Sequence, residues 1–133
     1  MQVRLVNIIP SAWETKHRVR ALEVDGRSLA VAALADLVGH HQDDYKKVMR
    51  VLRLLAGNER VRNENHVKRA RDYPDIYEVR GGKARLFFFY TPGRDGIVVC
   101  TNAYWKTKPS TSEQDAAFAM CGRLRQLYLE YTA

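Results

Sequence analysis

The chain has 133 residues, 46% hydrophobic and 28% charged, the proportions of an ordinary globular domain, and at that length it can close one apolar core without metal or disulfide staples. Its formal net charge of +7 points to polyanionic partners, nucleic acid or acidic protein, while two cysteines, Cys100 and Cys121, make neither a zinc spacing nor a disulfide framework. No apolar run approaches a membrane span and no leader-like charged and apolar N-terminus is present, so a cytoplasmic protein without membrane association is expected.

Val3 to Ile9 and Val19 to Val24 are short and β-branched, and Pro10 and Asp25-Gly26 interrupt them, so both are expected to be strands. From Ser28, a candidate N-cap, Leu29, Ala33, Leu34 and Leu37 fall at helical spacing, with Gly39 expected after the helix end. Tyr45, Val48, Met49, Leu52, Leu55 and Ala56 repeat at i, i+3, i+4, i+7, which predicts a second helix closed by Gly57, with Lys46, Lys47, Arg50 and Arg53 pointing elsewhere. Nine Lys or Arg against two Glu lie between Lys46 and Arg71, an excess equal to that of the whole chain, so the basic character is regional. Gly57 to Asp72 is polar and without period and is expected to be a loop.

Three strand-like runs follow, Ile76 to Arg80, Lys83 to Thr91 and Gly96 to Trp105, separated by Gly81-Gly82 and by Pro92-Gly93-Arg94-Asp95-Gly96. Such separators are hairpin chemistry and predict an antiparallel meander. Alternation sets Tyr77 and Val79 against Glu78 and Arg80, and Arg85, Phe87 and Phe89 against Leu86, Phe88 and Tyr90; which face of the second run is core stays open. Ser110-Thr-Ser-Glu113 is a capping box opening a last helix, with Ala116, Met120, Leu124, Leu127, Tyr128 and Tyr131 near one side.

The order helix pair, meander, last helix resembles toxins of the RelE/ParE superfamily, in particular the phage-type HigB-like branch. The likeness is carried by Ile76-Tyr-Glu-Val-Arg80, Arg85-Leu-Phe-Phe-Phe-Tyr90 and Ala103-Tyr-Trp-Lys106, with Val67-Lys-Arg69 before them, and it covers about Val19 to Tyr128. Two departures stand out: the family's paired lysines are Lys106-Thr107 followed by Lys108, and Ser112 stands where a proline usually opens the last helix. The resemblance implies an α+β fold with two N-terminal helices and a C-terminal helix packed on a small, mainly antiparallel sheet, a single domain over 1–133 with 1–18 as an N-terminal extension.

It also implies the toxin of a type II toxin–antitoxin system: a ribosome-associated endoribonuclease that cuts mRNA without metal or cofactor, by attack of a ribose 2′-OH on the adjacent phosphate. That reaction needs a proton acceptor, cations for the developing phosphorane charge and a donor for the leaving oxygen. Arg80, Arg85, Lys106 and Lys108 are candidate cations. Tyr104 alternates with Lys106 and is a candidate donor or base-stacking ring, with Trp105 as its rival because neighbouring strand residues face opposite ways. His66 is the candidate proton shuttle, an imidazole in the basic loop; His17, His40 and His41 are less well placed. Glu78 is read as an ion-pair partner of Arg80, and a pairing with Arg85 across the hairpin would be an exposed one. Lys68, Arg69, Lys46, Lys47, Arg50 and Arg53 are candidate RNA-phosphate contacts, with a solvated helix face as the alternative for the last four.

The ParE branch shares the fold and inhibits DNA gyrase, which makes a protein-binding inhibitor the main rival, with an inactive antitoxin-binding relative as a third reading. Either toxin reading implies a cognate antitoxin, expected to be a small helix-turn-helix protein, and the nuclease reading adds the ribosome and mRNA as partners.

Overall fold

The computed structural model describes residues 1 to 133 except Arg94, Asp95, Ser110 and Ala133. Six strands, β1 (Val3–Asn7), β2 (Val19–Val24), β3 (Val67–Arg69), β4 (Tyr77–Gly81), β5 (Ala84–Tyr90) and β6 (Val98–Trp105), form one sheet in the order β1-β2-β6-β5-β4-β3. Every neighbouring pair is antiparallel except β2 with β6. Three helices, α1 (Leu29–His40), α2 (Gln42–Gly57) and α3 (Ser112–Thr132), complete an α+β fold. None of the described helices is long and apolar enough to cross a membrane.

The expectation of two N-terminal helices is corrected: α1 and α2 follow the β1-β2 hairpin, and residues 1 to 18, set apart by sequence, contribute the edge strand β1 and a short 3-10 turn at Ser11–Trp13. The single parallel pairing explains this placement. A chain that leaves β2 and returns beside it in the same direction needs a long crossover, and α1, α2 and the β3-β4-β5 run provide it. Gly57 to Asp72, expected as a loop, contains β3, whose three residues pair with β4; three residues are too few for alternation to show in sequence. Gly39 lies inside α1 rather than after it, and α2 ends on Asn58 as its C-cap. Ser28 caps α1 by accepting from the Val31 amide at 3.2 Å, as its position suggests. The capping box falls in part outside the described residues, since Ser110 is one of the four, and the described helix starts at Ser112 with Glu113 and Asp115 in its first turn.

Both faces of the sheet are core, which settles the question left open by the aromatic run of β5. Leu86 and Phe88 face α1 and α2, packing with Leu34, Leu37, Val48, Leu52 and Leu55. Phe87 and Phe89 face α3, packing with Phe118, Ala117 and Cys121. Each of the three phenylalanines is fully buried, contributing about 1.5–3 kcal/mol by apolar transfer. A strand covered on both sides loses the alternation of a half-exposed one, and so reads as a continuous apolar run.

Strand β6 breaks its own alternation. Phe87 pairs with Asn102 and Phe88 with Cys100, so Thr101 is an extra residue, a β-bulge. Before it, Val98 and Cys100 face the helix pair and Val99 faces α3; after it, Ala103 and Trp105 face the helix pair and Tyr104 faces α3. Buried hydrogen bonds hold the bulge: Thr101 Oγ1 donates toward Asn102 Oδ1 at 2.7 Å and lies 3.3 Å from the Phe87 carbonyl, and Asn102 Nδ2 donates to the Ala117 carbonyl of α3 at 3.0 Å.

Candidate functional site

On the α3 face, at the end of the sheet where β4 turns into β5, polar side chains line up across three strands. Arg80 of β4 stands opposite Arg85 of β5, and Arg85 opposite Tyr104 of β6. The Arg80 amide donates to the His66 carbonyl at 2.8 Å, which brings the backbone of His66, the last residue of the turn before β3, beside Arg80. Two arginines and a tyrosine therefore form one cross-strand row, with His66 joined to its β4 end through the backbone, drawn from segments up to 38 residues apart in the chain.

Two like charges directly opposite each other repel. Glu78 resolves the repulsion from the next position of β4 on the same face: its fully buried carboxylate lies 3.2 Å from Arg85 Nε and 3.5 Å from Arg80 Nε, and accepts from Gln114 Nε2 of α3 at 2.9 and 3.2 Å. Arg85 is held further by Nη1 donating to the Gly82 and Ala84 carbonyls at 2.8 and 3.0 Å. The pairing of Arg85 with Glu78 is thus real but buried, not the exposed pair expected from sequence; α3 covers the carboxylate, and no sequence pattern announces that cover. The Arg80 Nε contact is one of charge alone, for that nitrogen has no hydrogen-bond partner among the described residues. The side chains of Arg85 and Arg80 remain 12% and 27% exposed, so the cluster carries a net positive charge at a surface that a ligand can reach.

The Tyr104 ring stacks on Phe87 with centroids 5.9 Å apart. Burial, and next the Glu78 carboxylate, push its phenol above the usual value, with the Arg85 guanidinium opposing. The hydroxyl therefore stays protonated at neutral pH, a hydrogen-bond donor and not a base. Trp105 faces the other way. It stacks on His41 at 4.0 Å, donates from Nε1 to Asp44 Oδ2 at 2.8 Å and lies under the Lys83 ammonium at 5.0 Å, which leaves Tyr104 as the ring on the arginine row.

The remaining candidate residues separate into groups. The Lys106 amide donates to the Lys83 carbonyl at 2.7 Å, continuing the ladder one residue past Trp105 and keeping Lys106 in alternation with Tyr104. Lys108 is exposed between β6 and α3. Lys68 pairs in register with Glu78 and is exposed on the row's face, while its neighbour Arg69 pairs with Tyr77 and lies on the other. Lys46, Lys47, Arg50 and Arg53 are exposed on α2, across the sheet from the row. Gln114 and Asn102 escaped sequence reasoning, since only the docking of α3 gives either one a role. Among the described residues no group of three or more His, Cys, Asp or Glu could hold a metal ion. No protein-family model matches the chain, and no curated protein matches it significantly.

Proposed function

We propose that the chain is a toxin of the RelE/HigB kind, a metal-independent endoribonuclease that cuts mRNA on the ribosome, and that the row His66–Arg80–Arg85–Tyr104 is its active site. The observation that carries this reading is the pair of guanidinium groups fixed by one buried carboxylate beside a protonated phenol. Strand order supports it as well: a helix pair on one face, a β4-β5-β6 meander and a last helix on the other follow the order that the resemblance implies.

In the proposed reaction the ribose 2′-oxygen forms a bond to the adjacent phosphorus and the bond from phosphorus to the 5′-oxygen breaks, leaving a 2′,3′-cyclic phosphate and a 5′-hydroxyl. Arg85 and Arg80 stabilise the charge that grows on the phosphorane; because Glu78 and two backbone carbonyls already orient Arg85, little reorganisation of that side chain opposes the transition state. His66 takes the 2′-OH proton, and the leaving 5′-oxygen takes the phenol proton of Tyr104, which solvent restores after the bond has broken. Lys106, Lys108 and Lys68 add phosphate contacts on the same side, and Arg69 and the exposed cations of α2 meet ribosomal RNA phosphates elsewhere. A small antitoxin of the helix-turn-helix class is the proposed partner that covers the row.

Induced expression followed by primer extension on cellular mRNA tests the proposal. In-frame cleavages that vanish when translation is blocked, and that programmed ribosomes reproduce in the presence of a chelator, are the expected result. Intact mRNA together with double-strand DNA breaks would overturn it in favour of gyrase inhibition.

A further inference from the structure

A second polar cleft lies on the helix-pair face, at the opposite end of β4 and β5 from the arginine row. It encloses about 680 Å³, and its walls include His17, Glu59, Arg60, Arg62, Tyr77 and Tyr90. We propose that this cleft binds a nucleotide, the base against the rings of Tyr90 and His17 and the phosphate against Arg60 and Arg62. The inference is independent of the nuclease reading, since it uses none of that site's residues.

Three features support it. The aromatic wall is fixed in place: Tyr90 packs edge-on against Tyr77 and Phe88, at 5.3 and 5.5 Å between centroids, and the His17 ring lies 5.4 Å from that of Tyr90. A preset ring loses little entropy on stacking a base, and every base has a π-face to offer. His17 also has a defined tautomer. Its Nδ1 lies 3.0 Å from the Leu55 carbonyl, which can only accept, so Nδ1 carries the hydrogen and Nε2 of the neutral ring is left as an acceptor for an exocyclic amine of a base. Finally, Arg60 and Arg62 are both exposed and flank Val61, whose side chain packs on the core and ties the loop between them. Among the described lining residues two guanidinium groups outweigh the one carboxylate, Glu59, and they suit the forked geometry of a phosphate. The Tyr90 phenol, pushed up by burial and by Tyr77 against the pull of Arg60, remains a neutral donor inside the cleft.

The base-plus-phosphate unit can belong to a free nucleotide or to an RNA strand. Full-length protein titrated with AMP, adenosine, inorganic phosphate and a single-stranded RNA tetramer, followed by NMR, separates these sources. AMP is expected to move the resonances of His17, Tyr90 and the 60–62 loop, and to bind at least severalfold more tightly than adenosine or phosphate. Replacing both arginines (Arg60→Gln with Arg62→Gln), a change confined to exposed side chains, should weaken AMP about tenfold and leave adenosine unchanged, whereas Tyr90→Leu should weaken both. Tighter binding of the tetramer at the same resonances identifies a strand as the natural ligand, and equal or weaker binding a mononucleotide. No shift at millimolar AMP, an unchanged AMP affinity in the double arginine variant, or a response to phosphate equal to that for AMP would each overturn the proposal.

Discussion

Arg85 on β5 stands directly opposite Tyr104 on β6, and the two side chains share a face only because Thr101 bulges out of β6 between them and the sheet centre. Without that extra residue, the parity set by Val98 and Cys100 would turn Tyr104 into the helix-pair core. Tyr104→Phe keeps the ring on Phe87 and removes only the hydroxyl. Chemical denaturation should show stability within about 1 kcal/mol of wild type, while single-turnover cleavage on ribosomes should fall by about two orders of magnitude. Because burial and Glu78 hold the phenol protonated beyond its usual 10.0, the wild-type rate should show no falling limb from this group up to that pH.

Glu78 is the residue on which the arginine row depends structurally. Glu78→Ala leaves two guanidinium groups facing each other beside a buried hole, and urea unfolding should show a loss of about 3–5 kcal/mol. Glu78→Gln keeps the shape but not the charge and should lie between that variant and wild type.

Arg85→Ala is expected to lower stability by about 2–3 kcal/mol, less than the Glu78→Ala loss because Arg80 still faces the carboxylate. Beneath its unfolding midpoint, the folded protein should cleave at least about a hundredfold more slowly in single turnover while its ribosome affinity changes little. Arg85→Lys should recover most of the stability and little of the rate, since an ammonium satisfies Glu78 but cannot make a forked phosphate contact. Wild-type cleavage by folded Arg85→Ala protein would remove this residue from the mechanism.

Alkaline pH should destabilise the fold through its thiols. Burial pushes Cys121 from 9.0 up to about 12, and Cys100 higher still, again chiefly by burial with Cys121 adding to it. In the unfolded chain both thiols ionise as pH passes about 9, whereas the folded protein keeps their protons. Stability is therefore fully present below about pH 9 and is lost progressively as pH rises toward the folded values. Melting temperatures measured from pH 7 to 10.5 should decline above 9, and Cys121→Ala should flatten part of that decline.

Asp44, in the first turn of α2, accepts from Trp105 Nε1 at 2.8 Å and from the Lys83 amide at 3.1 Å, and so latches the helix to the end of the sheet. Gly82 makes room for it: its φ is +58°, and a Cβ there would meet Asp44 Oδ1. Gly82→Ala should cost about 2 kcal/mol or more from the left-handed backbone and the displaced carboxylate together. Asp44→Ala should cost about 1–3 kcal/mol, and a shift in tryptophan emission should report the freed indole.

Charge reversal at Lys46, Lys47, Arg50 and Arg53 should leave the chemical step intact, because α2 lies across the sheet from Arg85. Ribosome affinity should drop, with the salt slope of binding falling by roughly one for each RNA phosphate that is no longer neutralised. Unchanged affinity and slope would mean that this face is only solvated.

Local signals were enough to read α1, α2, the strands of the meander and the identity of the charged residues from the sequence by itself. Leu, Val and Met at helical spacing bury one face of α2 whatever the rest of the chain does, and the glycine pair after Arg80 signals a turn between two strand-like runs for reasons within a few residues, although the turn itself is Gly82-Lys83, with Gly81 still paired in β4. Tertiary structure alone decided the parallel pairing of β2 with β6, the three-residue β3, the bulge at Thr101 and the burial of Glu78 under Gln114. Each of these depends on a partner far along the chain: a bulge is defined only against the strand beside it, and a carboxylate between two arginines is a surface pair until a helix covers it. The charges of the candidate site were therefore visible in sequence, whereas their arrangement into one row required the sheet register and the docking of α3.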